Sequence, residues 1–207
     1  ATYFRMHLQS WLKNWVRENP KSTGETYDIY RDGLRVYTTI DSRLQQNAED
    51  AMESHLSNLQ AAFFRQQQQD SNPTAPFIDL ELEQVEQIVD RAMRNSDRWR
   101  SLRAQGKSDT LIKASFYIPT EMTVFDWKAP SKERDTVMTP YDSILYYKSH
   151  LRGALMSIEP QTGHIKAWVG GADYKHFQYD NVVQGARQVG STFKPFVYAA
   201  AIDQLRM

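Results

Sequence analysis

The stretch RQVGSTFKPFVYAAAID, residues 187–203, places a glycine, a serine and a lysine at the start of an apolar run. Pro195 is tolerated only near the beginning of a helix, so it predicts that a helix starts close to Ser191. Gly190 allows the backbone to turn sharply just before that start. The small apolar residues that follow are typical of a helix buried in the centre of a domain.

Two interpretations of Ser191 follow from this local pattern. In the first, the serine is an ordinary N-cap of the helix. In the second it is a nucleophile, since it lies at the positive end of the helix dipole and Lys194, one turn further on, can accept its proton if the amine is neutral in a desolvated pocket. The two roles do not exclude each other. The Ser-x-x-Lys pattern alone is weak, because Ser10 and Lys13 repeat it inside a predicted amphipathic helix, where Lys13 is expected to face solvent.

Composition and charge exclude several classes of function. Of the 207 residues 41% are hydrophobic, which is typical of a globular protein, and 25 basic residues balance 25 acidic ones. A net charge near zero gives no reason to expect nucleic acid as a partner. The chain has no cysteine, which excludes disulfides and Cys-ligated metals. Nor do the five histidines have the spacing of a metal site, so no metal or cofactor is expected. These histidines are His7, His55, His150, His164 and His176.

The periodicity of apolar residues predicts a helix-rich first part with scattered strands. Helices are expected over residues 3–19, 82–93 and 140–150, with shorter ones near 99–102 and 111–114, and a long helix capped by Asp41. Strands are expected over residues 34–40 and 120–127. A polar loop is expected over residues 65–76, and a charged turn over 128–135. Residues 153–171 predict a β-hairpin around the turn PQTG, followed by an aromatic, polar loop.

Three blocks of this sequence resemble the class A penicillin-binding proteins, the bifunctional enzymes of peptidoglycan synthesis. Residues 30–52 resemble the segment after the glycosyltransferase domain of that family, and residues 122–147 resemble its interdomain linker. Residues 153–203 resemble its hairpin, loop and active-site helix. One departure is Val189, where the family usually has proline. The resemblance implies an α+β fold with a linker region over residues 1–150 and the N-terminal part of an incomplete transpeptidase domain over 151–207.

The same resemblance implies the activity of a serine D,D-transpeptidase. Ser191 is expected to be the nucleophile that forms the acyl-enzyme and Lys194 its proton acceptor. The expected partners are peptidoglycan stem peptides ending in D-Ala-D-Ala and the β-lactams that mimic them. The expected location is the periplasmic side of the inner membrane, reached through an N-terminal membrane anchor outside this chain.

The family also needs a Ser-x-Asn and a Lys-Thr/Ser-Gly motif downstream of the active-site helix, and the 207 residues contain no Ser-x-Asn. The chain is therefore expected to be a fragment, inactive by itself, without the glycosyltransferase domain. Its hairpin is expected to leave an apolar edge exposed. Two alternatives stay open: a transpeptidase-only or β-lactamase-type enzyme, and a noncatalytic structural or interaction module in which Ser191 is only a cap.

Overall fold

A computed structural model describes residues 1–69 and 74–205, in which seven α-helices accompany two small antiparallel sheets. This arrangement confirms the predicted α+β class. Each sheet has two strands, with order β1-β2 and β3-β4. The elements are α1 (Thr2–Glu18), α2 (Ser42–Gln69), α3 (Leu82–Arg94), α4 (Asp97–Ala104), α5 (Asp109–Ser115), β1 (Thr120–Phe125), β2 (Glu133–Met138), α6 (Pro140–Lys148), β3 (Leu155–Ile158), β4 (Ile165–Val169), a 3-10 turn (Gly190–Phe193) and α7 (Lys194–Leu205).

Most of the predicted helices are confirmed, including their caps. Asp41 begins α2, because its carboxylate accepts hydrogen bonds from the backbone N–H groups of Arg43 and Leu44. Thr139 does the same for α6, accepting from the N–H of Asp142 at 3.0 Å. In each case a short oxygen-bearing side chain satisfies N–H groups that the first helical turn leaves without partners.

Two predicted elements are wrong. Residues 34–40 alternate in hydrophobicity but form no strand, and Tyr37 is 87% exposed. The next residue, Asp41, donates one backbone hydrogen bond to the carbonyl of Lys166, whereas a β ladder needs a repeating series of such bonds. The loop predicted from residue 65 is also wrong in its first part, because α2 continues to Gln69. Residues 70–73 of that predicted loop lie outside the described residues.

The helices α3 to α6 surround the larger hydrophobic core. Its buried members come from three consecutive helices and the residue that ends the last of them: Val85, Val89, Met93, Trp99, Ile112 and Phe116. One face of α6 covers this core with Tyr141, Ile144 and Leu145. The apolar stripe predicted on residues 82–93 is thus confirmed for its central positions, although Leu82 is 58% exposed.

The strands β1 and β2 form a hairpin whose second strand the sequence analysis missed. Residues 133–135 of the predicted charged turn belong to β2, which pairs antiparallel with β1 from Thr120↔Met138 to Phe125↔Glu133. Four of the six residues of β2 are polar and none of the six is fully buried, so the strand carries little of the hydrophobic signal that identifies one.

The second hairpin, β3–β4, is confirmed, and Gly163 in its turn has a positive φ of 72°. Its expected exposed edge is not seen at β4. Gln45 of α2 donates to the Trp168 carbonyl at 2.9 Å and accepts from the Trp168 N–H at 2.8 Å. The hydroxyl of Thr39 donates to the Ile165 carbonyl at 2.7 Å. The backbone of this strand therefore has partners on the side away from β3.

Helix α2 also shares a core with this hairpin. Ala48 of α2 is buried against Ala167 and Val169 of β4, with Met52 and Leu155 packed around them. Helix α2 thus packs against the hairpin that precedes the loop leading to Ser191.

Candidate functional site

Ser191 lies in the 3-10 turn that leads directly into α7. Gly190 before it has a positive φ of 50°, as the sharp turn requires. No side chain caps this turn, and the hydroxyl of Thr192, not that of Ser191, donates to the carbonyl of Val189. The interpretation of Ser191 as a plain N-cap therefore finds no support in these contacts.

Lys194 is the first residue of α7 and ends the same turn. Its backbone N–H donates to the carbonyl of Ser191, so the two residues belong to a single hydrogen-bonded turn. Both side chains are exposed. Pro195 occupies the second position of α7, which confirms that the helix begins where the proline allows it.

The expected burial of the helix behind Ser191 is wrong for the described residues. Phe196 is 68% exposed, Tyr198 63% and Ile202 61%. Apart from the 3-10 turn, no element in residues 1–69 and 74–205 packs extensively against α7. The apolar composition that suggested a central helix is present, but the surfaces that would cover it are not among the described residues.

The loop between β4 and the Ser191 turn is anchored to the strand. The carboxylate of Asp180 is buried and accepts a 3.0 Å hydrogen bond from the indole N–H of Trp168. Asn181 donates to the carbonyl of Gly170 through both its backbone and its side chain, each at 2.8 Å. A Cβ atom at Gly170 would collide with Asp180 and with Tyr3, so a glycine is needed there.

The same loop is bound to the β1–β2 hairpin through His176. Its Nε2 lies 2.9 Å from Glu133 Oε1 and its Nδ1 lies 3.1 Å from the hydroxyl of Tyr147. Lys175 adds an ion pair to the same carboxylate oxygen at 2.6 Å. These contacts lower the pKa of Glu133, with the Lys175 hydrogen bond as the main cause.

His150 and His176, which showed no metal-site spacing in the sequence, lie at the centre of an aromatic cluster. His150 is 5% exposed and its ring lies against Phe125, Tyr146 and Phe177. Burial lowers the pKa of His150. No sequence pattern predicts this cluster, because its members come from β1, α6 and the loop after β4. Within the described ranges no group of three or more His, Asp or Glu side chains is placed to hold a metal ion.

The structure also places the decoy pair, Ser10 and Lys13, which repeats the Ser-x-x-Lys spacing within α1. Ser10 lies in the middle of α1, where its hydroxyl donates to the carbonyl of Met6 at 3.3 Å. Lys13 is exposed, as expected.

Among the described residues, no helix combines the length and the hydropathy needed to cross a bilayer.

Two protein-family models match consecutive segments of this chain. Residues 72–151 match the penicillin-binding protein middle domain, and residues 153–206 match the penicillin binding protein transpeptidase domain. The second match contains the turn with Ser191 and Lys194. The chain belongs to the penicillin-binding proteins, and its domain order and relatives are consistent with class A.

Three similar curated proteins carry the same name. The chain is 28% identical over 198 residues to penicillin-binding protein 1A of Neisseria flavescens and 26% identical over 207 residues to that of Rickettsia bellii, with 84% and 88% of this chain covered. A 54-residue segment is 50% identical to penicillin-binding protein 1A of Neisseria gonorrhoeae, covering 26% of this chain and 7% of that protein. In the longer matches the chain spans 24% of the relatives' length. No solved structure matches the chain.

Proposed function

We propose that this chain is part of a peptidoglycan synthase of the cell envelope and carries the nucleophile of its D,D-transpeptidase site. The Ser191 oxygen attacks the carbonyl of the penultimate D-Ala of a stem peptide, and its proton passes to the neutral amine of Lys194. The terminal D-Ala leaves with that proton and the acyl group stays on the serine. An amine of a neighbouring stem then attacks the acyl carbonyl and its proton passes to the departing Ser191 oxygen, so the new amide forms the cross-link and the serine hydroxyl is restored.

The observation that carries the proposal is the shared turn of Ser191 and Lys194 at the beginning of α7. Ser191 lies in the turn before a 12-residue helix, at the end where the helix N–H groups carry partial positive charge. Developing negative charge on an attacked carbonyl is stabilised by such donors. The match of residues 153–206 to a transpeptidase domain supports the same roles.

A β-lactam would react at the same serine. Its strained amide carbonyl takes the place of the peptide carbonyl, the ring C–N bond opens, and the acyl group remains attached to Ser191. The proposed ligands are accordingly stem peptides ending in D-Ala-D-Ala and penicillins; for the relatives, the name indicates penicillin binding.

The division of the chain at residues 150 and 151 is also a proposal. The middle-domain match ends at residue 151 and the transpeptidase match begins at 153, which supports it. Helix α2 lies in the proposed linker region and contacts β4 of the proposed transpeptidase part. A glycosyltransferase activity, a membrane anchor and a periplasmic location are proposed for the full-length protein.

The 207 residues alone are proposed to be inactive in cross-linking and slow in acylation. An oxyanion hole needs two donors, and the loss of one costs about 10²–10³ in rate. The Ser191 N–H can supply one of them. The family resemblance assigns the second to a strand bearing Lys-Thr/Ser-Gly, downstream of α7. The Lys194 side chain is also exposed in the described structure, whereas a lysine base needs a desolvated pocket.

The assignment of Ser191 is tested in the full-length protein with a penicillin. Digestion and mass spectrometry are expected to find one adduct, on the peptide that contains Ser191. The Ser191→Ala variant should give none, while Ser10→Ala, which alters the decoy pair, should label as the wild type does. An adduct on another serine would remove Ser191 from its proposed role.

The inactivity of the isolated chain is tested by comparing its rate of labelling by a fluorescent penicillin with that of the full-length protein at equal concentration. Slower labelling of the 207 residues is expected. Equal rates would mean that Ser191, Lys194 and the local helix start are sufficient.

A further inference from the structure

The turn over residues 180–184 is the last hydrogen-bonded part of the chain before the Ser191 turn. The backbone N–H of Gln184 donates to the carbonyl of Asp180 at 2.8 Å and closes this turn. Within the described ranges, residues 185–188 make no hydrogen bond. The direction from which the chain approaches Ser191 is therefore set where the turn ends.

Both carboxylate oxygens of Asp180 hold this turn. Its Oδ1 accepts a hydrogen bond from the backbone N–H of Val182 at 3.0 Å, inside the turn. Its Oδ2 accepts from the indole N–H of Trp168 at 3.0 Å, which ties the turn to β4. Asp180 is buried, so bulk water has little access to these two oxygens.

Trp168 gives the Asp180 carboxylate a donor in a fixed position. The Trp168 side chain is buried, and its ring stacks on that of His7 in α1, 5.1 Å away at an interplanar angle of 25°. Its backbone N–H and carbonyl both bind the Gln45 side chain of α2. Two helices thus hold Trp168, and its indole holds the turn.

Aspartate is the residue type that this arrangement requires. Two N–H donors face the two oxygens of Asp180, and a carboxylate can accept from both. Asparagine has the same shape but only one oxygen, and its NH₂ group would meet one of the N–H groups. No described residue forms an ion pair with Asp180, although buried charges are usually paired. The negative charge therefore serves the two N–H donors and not a cation.

We propose that Asp180 is a positioning residue for the acylation of Ser191, an inference that rests on the proposed transpeptidase function. Asp180 does not touch the substrate. It holds the turn from which the chain reaches the nucleophile, so its loss displaces the Ser191 oxygen from the carbonyl that it attacks. Displacement of a reacting atom by about 1 Å lowers a rate by as much as about 100-fold.

The test measures how fast a fluorescent penicillin acylates the full-length protein over a range of penicillin concentrations. Asp180→Asn should lower the limiting rate at saturating penicillin about 10- to 100-fold. The half-saturating concentration should change little, because the chemical step is affected and not binding. An unchanged limiting rate with the adduct on Ser191 would overturn this proposal and leave the proposed function standing. An adduct on another serine would overturn both.

Gln45→Met is the matched control. It removes contacts with the backbone of Trp168 but leaves the bond between the indole and the carboxylate. At a temperature where circular dichroism shows every variant folded, Gln45→Met should acylate at the wild-type limiting rate. If Asp180→Asn and Gln45→Met slowed acylation equally, Asp180 would act only through stability and the proposal would be wrong.

A double-mutant cycle with Trp168→Phe tests the contact itself. Phenylalanine has no N–H, so in that background the single oxygen of asparagine can serve Val182. Asp180→Asn should then slow acylation far less than it does in the wild type, and an equal effect in both backgrounds would refute the proposal. If Trp168→Phe does not fold, the comparison with Gln45→Met decides.

Asn181→Ala covers the case in which Asp180→Asn does not fold. It removes the side-chain bonds of Asn181 to the carbonyls of Gly170 and Tyr179 and keeps the backbone bond that anchors the same turn. A severalfold lower limiting rate is expected, and the wild-type rate would contradict the proposed role of the turn.

Discussion

Glu133 and His176 lie 2.9 Å apart and connect β2 to the loop that follows β4. This loop leads on to the turn with Ser191. The same carboxylate oxygen binds Lys175 at 2.6 Å, so a single residue of the middle region holds two consecutive residues of the loop. The domain matches place the two sides of this contact in different domains.

Replacing Glu133 by glutamine should lower the melting temperature at neutral pH. The pKa of Glu133 is lowered in the folded chain, so its stabilising effect is present above the pKa of an unfolded glutamate, about 4.3, and is lost as the pH falls through the folded value. The difference between wild type and Glu133→Gln should therefore narrow toward acid pH. Thermal unfolding followed by circular dichroism measures it.

Glu121→Gln is the matched control for this prediction. Glu121 is an exposed residue of β1 that forms no ion pair within the described ranges, so its loss should leave the melting temperature nearly unchanged. Equal effects of the two variants at every pH would mean that the Glu133 contacts do not stabilise the fold.

Gln45→Met should destabilise the chain by about 1–3 kcal/mol, the cost of leaving a buried backbone group without its partner. Methionine keeps the volume of the side chain but cannot bind the N–H and carbonyl of Trp168. The free energy of unfolding is measured by urea denaturation. Gln46→Met, at an exposed neighbouring position of α2, is the control and should cost far less. A fully stable Gln45→Met variant would contradict the role of Gln45 at the β4 edge.

Ile112→Ala should cost about 2–5 kcal/mol of stability, because Ile112 is fully buried in the core beneath α6. Leu111 precedes it in α5 but is 63% exposed. Leu111→Ala should therefore have a small effect, which makes the pair a direct test of which face of α5 is buried. A reversed order of the two unfolding free energies would show that α5 is rotated.

The sequence predicted elements that carry their own signals. Asp41 and Thr139 are caps whose oxygens act on the next few residues, and the stripe of Val85, Val89 and Met93 follows helical spacing, so local information was sufficient. The start of α7 was predicted for the same reason, since Pro195 restricts where a helix can begin.

The failures arose where long-range contacts decide. Residues 34–40 have the alternation of a strand, but a strand needs a partner, and β4 provides only limited contacts there. Strand β2 pairs with β1, but its sequence lacks the alternation of apolar and polar residues that predicts a strand. The contact of Glu133 with His176 joins residues 43 positions apart, so no spacing in the sequence could indicate it.

The candidate site was predicted only in its local part. Ser191 and Lys194 lie in one turn, as their spacing indicated. The burial expected for α7 depends on surfaces that no pattern within residues 187–203 specifies, and the helix is exposed in the described structure.

His150→Phe should make stability less dependent on pH between neutral and mildly acid conditions. Burial lowers the pKa of His150, while the imidazole of an unfolded chain titrates near about 6.5. As the pH falls below that value, the unfolded chain takes up a proton that the folded chain does not, so the free energy of unfolding decreases in the wild type. Phenylalanine cannot be protonated and removes this contribution.

The measurement compares urea denaturation at about pH 7.5 and about pH 5.5, values that bracket the titration of an unfolded histidine. His55 is an exposed histidine on α2, and His55→Phe should leave the decrease in stability as it is in the wild type. Nearby charges, Arg152 and Asp126, act in opposite directions on His150 and are retained in both variants. An undiminished decrease in His150→Phe would assign the acid sensitivity to other groups.

Lys194→Ala in the full-length protein should reduce the rate of acylation by a fluorescent penicillin by about 10²–10⁴, the usual contribution of a general base. The melting temperature should change little, because the Lys194 side chain forms no ion pair with the described residues and its removal breaks no such contact. Lys13→Ala, in the decoy Ser-x-x-Lys pair on α1, is the matched control and should acylate at the wild-type rate. Lys194→Arg separates charge from proton transfer, since a guanidinium keeps the positive charge but does not lose its proton at neutral pH. If Lys194 is the base, the arginine variant is as slow as the alanine variant; if arginine restores the rate, Lys194 acts only through its charge and the base lies elsewhere.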